Sequence, residues 1–173
     1  MKKMIIAAMV CGSLSSAAFA DDGKINFIGT ITDDACTVVN NTTTPLTVTL
    51  GTVSSQAFNG AGSTAGATMF TLALSSCPDT VNSASVKFDG TSDSNVNTIL
   101  ALTGAGTAGV ADGVGIQLAD ANNNVIPLYT ASAAYPLQTG ANNLEFVARY
   151  YATATAVTAG TANATSNFSI IYN

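Results

Sequence analysis

The sequence predicts an all-β chain, a β-sandwich with Greek-key connections, and three observations carry that expectation. Short runs whose apolar residues recur at every second position follow one another along the chain. Clusters of Gly, Asn, Ser, Asp and Pro, such as "FNGAGSTAG", "DGTSDSNVN" and "TGAGTAGVADG", separate the runs and have the composition of turns. Beyond the leading apolar stretch, no segment carries the periodicity of an amphipathic helix. Seven or eight strands at this spacing within one domain are the pattern of a sandwich.

The runs follow in order. "KINFIGTI" puts Ile25, Phe27, Gly29 and Ile31 on one row and Asn26, Ile28 and Thr30 on the other, a strand with one buried face. "CTVV" supplies Cys36 and Val38. "PLTVTLGTV" supplies Leu46, Val48 and Leu50, with Pro45 at its start, where a strand tolerates it. "MFTLALSSC" aligns Phe70, Leu72 and Leu74 and ends at Cys77, and "SVKFDG" aligns Val86 and Phe88 before a turn. "GVGIQLAD" aligns Val114, Ile116 and Leu118, with "NNNVIPLYT" after a turn-rich break. "NLEFVARYYATA" aligns Leu144, Phe146, Ala148 and Tyr150, and "SNFSIIYN" closes with Phe168, Ile170 and Tyr172.

Residues 1–20 read as a secretory signal peptide. Lys2 and Lys3 precede an apolar run, and Ala18-Phe19-Ala20 is a small-x-small cleavage site. A lipoprotein reading would modify Cys11, but Ala8 stands where that signal wants Leu. No later run reaches the roughly 18 residues of a membrane-spanning helix. Cleavage after Ala20 leaves 153 residues, the size of one domain. It also leaves Lys24, Lys87 and Arg149 against ten acids, a net charge of −7. Such a chain has no basic cluster for nucleic acid or an anionic membrane. Cys11 departs with the signal, so Cys36 and Cys77 are an even pair in an oxidising compartment, with one possible pairing.

Chemistry-bearing residues are sparse. The chain has no His, which removes Ser-His-Asp and Cys-His nucleophile systems and the commonest metal ligand. Oxidised cysteines offer no thiolates for a zinc site. Asp33-Asp34 and the pair Asp89 and Asp93 read as turn formers, since Asp89–Asp93 lacks the remaining ligands of a calcium loop. The glycine clusters lack the Lys of a phosphate loop. Sequons at Asn41, Asn163 and Asn167 carry weight only in a eukaryotic secretory pathway. Neither an enzyme nor a cofactor site is expected.

The two ends are the informative segments. After Phe168, Ile170 and Tyr172 no further strand follows to cover the last edge, while a spare apolar strand, Ile25 to Ile31, precedes the first cysteine of the pair. A monomer can fold its own first strand into the gap, or copies can exchange strands head to tail into an open filament. Physics alone leaves both arrangements open.

A resemblance chooses between them. "FIGTITDDACTV", "TVTLGTV", "FTLALSSC", "GVGIQLAD" with "VIPL", "LEFVARYYAT" and "VTAGTANATSNFSIIYN" occur in the order of the subunits of chaperone–usher pili, and the chain resembles the type 1 fimbrial family of Gram-negative bacteria. Gly160 is fourteenth from the end and Tyr172 penultimate, as that family's C-terminal motif asks. The resemblance implies an incomplete immunoglobulin-like β-sandwich over 34–173 that lacks its last strand and receives a donor strand from a neighbouring subunit. Residues 21–33 would be the donor extension, with Ile25, Phe27, Gly29 and Ile31 pointing into the neighbour's groove; Gly29 takes the family's glycine position. Ile28 on the opposite row departs from a cleanly polar outer face and leaves the register open. Gly160, Phe168, Ile170, Tyr172 and Asn173 would form the edge met first by a periplasmic immunoglobulin-like chaperone, whose basic residues hold the Asn173 carboxylate. At an outer-membrane usher the next subunit's extension would replace the chaperone's strand, with no nucleotide or cofactor. The implied protein is exported through the periplasm to the cell surface and polymerises with identical or related pilins as the major rod subunit of a fimbria, supporting adhesion. Two alternatives stay open: a minor or adaptor pilin that binds a receptor directly, and a free-standing carbohydrate-binding sandwich using Tyr129 or Tyr135.

Overall fold

The computed structural model describes residues 24–29, 31 and 35–173. The expected signal peptide, 1–20, and most of the expected boundary near residue 33 lie outside the described residues. The chain divides into a leading unit ending at Ile31 and a body running from Thr32 to Asn173. Seven strands make up the body: β1 (Thr37–Val38), β2 (Thr64–Cys77), β3 (Ser83–Gly90), β4 (Val114–Asp120), β5 (Tyr135–Pro136), β6 (Gly140–Ala152) and β7 (Ser166–Tyr172). A single turn of 3-10 helix, Ser55–Ala57, precedes β2, capped by the Ser54 side chain accepting from the Gln56 N–H.

All pairings between strands are antiparallel and form two sheets, β1-β2-β6-β4 and β5-β3-β7. From β2 onward each successive strand lies in the opposite sheet, so every connection crosses the sandwich. The alternation read from the sequence is what fills the space between the sheets. Leu72 and Leu74 of β2, Val86 and Phe88 of β3, Ile116 and Leu118 of β4, and Leu144 and Phe146 of β6 are all buried. Phe146 is the hub. Its ring stacks on Phe70 (centroids 5.6 Å apart) within its own sheet, and meets Phe88 (5.2 Å) and Tyr135 (5.3 Å) of the other sheet edge-on.

The Cys36–Cys77 disulfide is formed, with an S–S distance of 2.02 Å. It ties the residue before β1 to the end of β2. β1 pairs with β2 through only two residues, Thr37 opposite Ser75 and Val38 opposite Leu74. A two-residue ladder is weak by itself, so the covalent bridge fixes where the body begins.

Three expected strands are absent among the described residues. "PLTVTLGTV" carries no strand pairing, although Val48 and Leu50 still pack against the core. "NNNVIPLYT" makes one isolated bridge, Ala119 with Val125, rather than a strand. The described residues of the leading unit, 24–29 and 31, are not in a strand either. In each case the side-chain pattern is present but a neighbouring strand is not, and a strand is defined by its partner's hydrogen bonds. Conversely β5, with Tyr135 and Pro136 on the edge of β3, was not foreseen, because two residues are too short to show a period.

Candidate functional site

β7 ends the three-stranded sheet, pairing with β3 on one side and with no strand on the other among the described residues. The comparison across this one ladder defines the site. Phe88 faces Phe168, Val86 faces Ile170, and Ala84 faces Tyr172, all on the inward side. The β3 members are 3%, 0% and 0% exposed. The β7 members are only half-buried. Residues of the same apolar character, one strand apart on the same face, lose cover towards the free edge. The half-buried row continues upstream with Ala164 and Ala162 at the same two-residue spacing, so the open stretch is longer than β7 itself.

The β4 edge is treated differently. β4 is bridged along its outer side by Leu100 opposite Ile116 and by Val125 opposite Ala119, which satisfies edge hydrogen bonds and blocks unwanted pairing. Among the described residues β7 has no such cover.

Upstream of β7, the segment leads past a cavity of about 300 Å³. Gly51–Val53 and Phe58 line one wall, and Val157, Gly160, Ala162 and Asn163 line another. None of the lining residues is charged. Tyr150 also borders it, its hydroxyl donating to the Ala162 carbonyl at 3.3 Å, and burial raises the pKa of this phenol. Gly160 is there because of its neighbour: a Cβ on it would lie 2.4 Å from both Ala111 N and Val110 C. That close approach lets residues 158–161 zip onto 109–112, with Ala111 N–H donating to Thr161 O (3.0 Å) and Thr161 N–H to Gly109 O (2.8 Å).

At the other end of the row, the Tyr172 hydroxyl donates to the Cys36 carbonyl at 3.3 Å, beside the disulfide, and burial raises the Tyr172 pKa. Asn173 is hydrogen-bonded through its backbone to Ser83 in both directions, at 2.9 and 3.2 Å. Phe168, Ile170 and Tyr172 thus lie along one strand, with Tyr172 and Asn173 at its end meeting Cys36 and Ser83, and Gly160 upstream of it against Val110 and Ala111. Ile25, Phe27 and Ile31 belong to the leading unit, where they are 77%, 93% and 99% exposed, and a Cβ on Gly29 would meet nothing within 4 Å. Reading the sequence missed Ala162, Ala164 and the cavity wall. The alternation that would have flagged the two alanines sits inside a Gly-, Thr- and Asn-rich stretch that reads as loop.

The candidate sugar platforms separate. Tyr135 packs edge-on against Phe146 and donates its hydroxyl to the Glu145 carbonyl at 3.0 Å; burial, with the nearby charges of Asp120 and Glu145, pushes its pKa up to about 12. Tyr129 is exposed, with a φ of 64° and its hydroxyl donating to the Gly90 carbonyl. No group of three or more His, Cys, Asp or Glu is placed to hold a metal among the described residues. What the open row offers is a strand's unpaired main-chain groups above an apolar, uncharged floor, which is the chemistry that takes up an extended apolar segment.

Two antiparallel sheets face to face, with one edge strand left half covered, define the incomplete immunoglobulin-like sandwich of chaperone–usher pilins. The chain belongs to the fimbrial protein family, whose model matches residues 25–173. It is 38% identical to the type-1 fimbrial protein A chain of Escherichia coli, covering 99% of this chain and 98% of that one. It is 35% identical to the fimbrial subunit type 1 of Salmonella typhimurium, covering 98% and 92% respectively. Among solved structures it is similar to an antigen and type I fimbria protein of Burkholderia pseudomallei, at 39% identity and a TM-score of 0.62 over 82% of this chain and 91% of that one. The protein is thus a fimbrial subunit of a surface pilus, and its family consists of structural pilins.

Proposed function

We propose that this chain is the major rod subunit of a type 1-like fimbria and polymerises by donor-strand exchange. The observation that carries this reading is the contrast between the buried row of β3 and the half-covered row of β7 directly opposite it. The leading segment supplies the counterpart, an alternating apolar run with exposed side chains. Ile25, Phe27 and Ile31 of one subunit fill the open row of the next, and Gly29 passes where a side chain would not fit. Before assembly a periplasmic chaperone holds the same edge and the Asn173 carboxylate, and an outer-membrane usher presents each subunit to the incoming extension. Exchange is driven by apolar surface removed from water plus a completed ladder. The contact is heterologous, so it generates a filament rather than a closed ring.

The test adds a synthetic peptide of residues 21–33 to a chain beginning at Asp34. If the peptide is present at about 100 times its dissociation constant, linkage gives roughly 2.7 kcal/mol of stabilisation, and a Gly29→Arg peptide gives none. A truncated chain that is already stable and indifferent to both peptides rules the mechanism out. Sheared surface fractions report rod status: a major subunit dominates them, and an adaptor is a trace component.

A further inference from the structure

Asn59-Gly60 is the sole Asn-Gly pair in the sequence. It lies in the turn between the 3-10 helix and β2, next to Phe58 of the cavity wall. Asn59 is exposed, and its side-chain amide makes no hydrogen bond among the described residues. The Gly60 N–H finds no acceptor among them either, and a Cβ on Gly60 would meet nothing within 4 Å. The flanks are held: the Asn59 N–H donates to Ser63 Oγ at 3.1 Å, and Ser63 Oγ donates to the Gly60 carbonyl at 2.6 Å. The amide nitrogen that follows the asparagine is thus without an acceptor among the described residues, in a half-buried glycine with room at its Cα, beside an unengaged side-chain amide.

Several other asparagines are held by their side chains. Asn40 and Asn41 accept backbone N–H groups through their side chains, Asn123 accepts from Arg149, Asn124 donates to Asp120, and Asn142 donates to Gln138. Asn82 is followed by a small residue, Ser83, but the Ser83 N–H is bound to the Asn173 carbonyl at 3.2 Å.

We propose that Asn59 is a site of spontaneous deamidation that ages this subunit beside its acceptor row. The Gly60 nitrogen loses its proton to base and attacks the Asn59 side-chain carbonyl carbon. A C–N bond forms, the carbon–Nδ2 bond breaks, ammonia leaves, and a five-membered succinimide remains. Water opens that ring at one carbonyl to give aspartate, or at the other to give isoaspartate, whose main chain runs through the former side chain. Each event consumes one water and releases one ammonia, with no redox partner. Glycine favours ring closure because no Cβ hinders its nitrogen, and asparagine is the thermally labile member of such pairs.

The product acts on the site through β2. The Gly62 N–H donates to the Ala152 carbonyl at 2.8 Å and the Ala152 N–H donates to the Ser63 carbonyl at 2.9 Å, pinning the start of β2 to the end of β6. An extra main-chain methylene at residue 59 pulls on that anchor, and a new carboxylate sits beside an uncharged cavity wall. The resulting loss of donor binding rests on the function proposed above; the deamidation does not.

The mature chain is incubated folded at mildly alkaline pH in heavy-oxygen water, and its peptides are mapped by mass over time. Asn59 converts first, its product carries one heavy oxygen, and it converts at a rate close to that of the denatured chain, whereas Asn82 converts only when denatured. An Asn59→Gln variant loses this earliest conversion. Protection of Asn59 in the folded chain, or another asparagine converting ahead of it, overturns the proposal. Aged and fresh chains are then compared for stabilisation by the 21–33 peptide: a reduced gain in the aged chain supports the coupling, and an equal gain removes it. A fresh chain that ignores the peptide fails the donor-strand reading and leaves the mass map standing.

Discussion

Phe88 and Phe168 form a controlled pair within one molecule. They are the same residue type, face each other across one ladder, and point to the same side, but Phe88 is 3% exposed and Phe168 is half-buried. Phe88→Ala removes a ring packed edge-on against Phe146 at 5.2 Å and near Phe70 at 6.3 Å, and a fully buried Phe→Ala costs about 3–5 kcal/mol. Phe168→Ala removes a ring that water already reaches, so about 1–2 kcal/mol is expected in the truncated chain without donor. At roughly 3–4 °C per kcal/mol for a body of this size, the melting temperature falls by about 9–20 °C in the first case and about 3–8 °C in the second. Adding the 21–33 peptide covers the row. The cost of Phe168→Ala then rises towards that of Phe88→Ala, while the cost of Phe88→Ala stays where it was. Differential scanning of both variants, each with and without peptide, measures all four values. Equal costs in the donor-free chain, or a Phe168→Ala penalty that the peptide does not enlarge, refute the claim that β7 is the unfinished edge.

Replacing both cysteines by serine opens a loop with a sequence separation of 41 and costs about 4 kcal/mol on the chain-entropy account, seen as a lower denaturation midpoint. Gly160→Ala forces the backbone of 158–161 away from Val110 and Ala111; a loss of about 1–3 kcal/mol is expected in urea unfolding, with weaker peptide binding because the cavity wall shifts. Tyr135 has a raised folded pKa, so its stabilising contribution is complete below the unfolded value near 10 and is lost as pH rises towards about 12. Tyr135→Phe should flatten that part of the alkaline unfolding curve. Asp120 is the opposite case: hydrogen bonds led by the Asn124 side chain lower its pKa from 3.8, so its contribution is present above that pH and is lost on acidification below it, a limb that Asp120→Asn should remove.

Much of this was legible because strands write a period of two into the sequence wherever one face is buried. β2, β3, β4, β6 and β7 all contain the runs read for them; the inward rows of β2, β3, β4 and β6 supply the core, and that of β7 packs half-buried against it. The disulfide followed from compartment and parity. The places where reading failed share a cause. "PLTVTLGTV" and "NNNVIPLYT" have strand-like side chains, yet the former carries no strand and the latter only an isolated bridge, because period describes burial and says nothing of a partner's hydrogen bonds. Gly160 could be placed by its distance from the C-terminus, but its reason, a backbone contact with Val110 and Ala111, joins residues about fifty apart.

By itself, the amino-acid order determined the class of this protein: all-β, disulfide-stapled, poor in catalytic groups, and carrying one alternating apolar run ahead of its first paired cysteine. Those properties depend on local alternation, composition and parity. The sequence already pointed to the edge of Phe168, Ile170 and Tyr172; only the tertiary structure decided how much cover that edge has, because its residues alternate just as Val86 and Phe88 do until the sheets are assembled. Burial is a property of what stands next to a residue, and beside β7 no strand of the described chain stands.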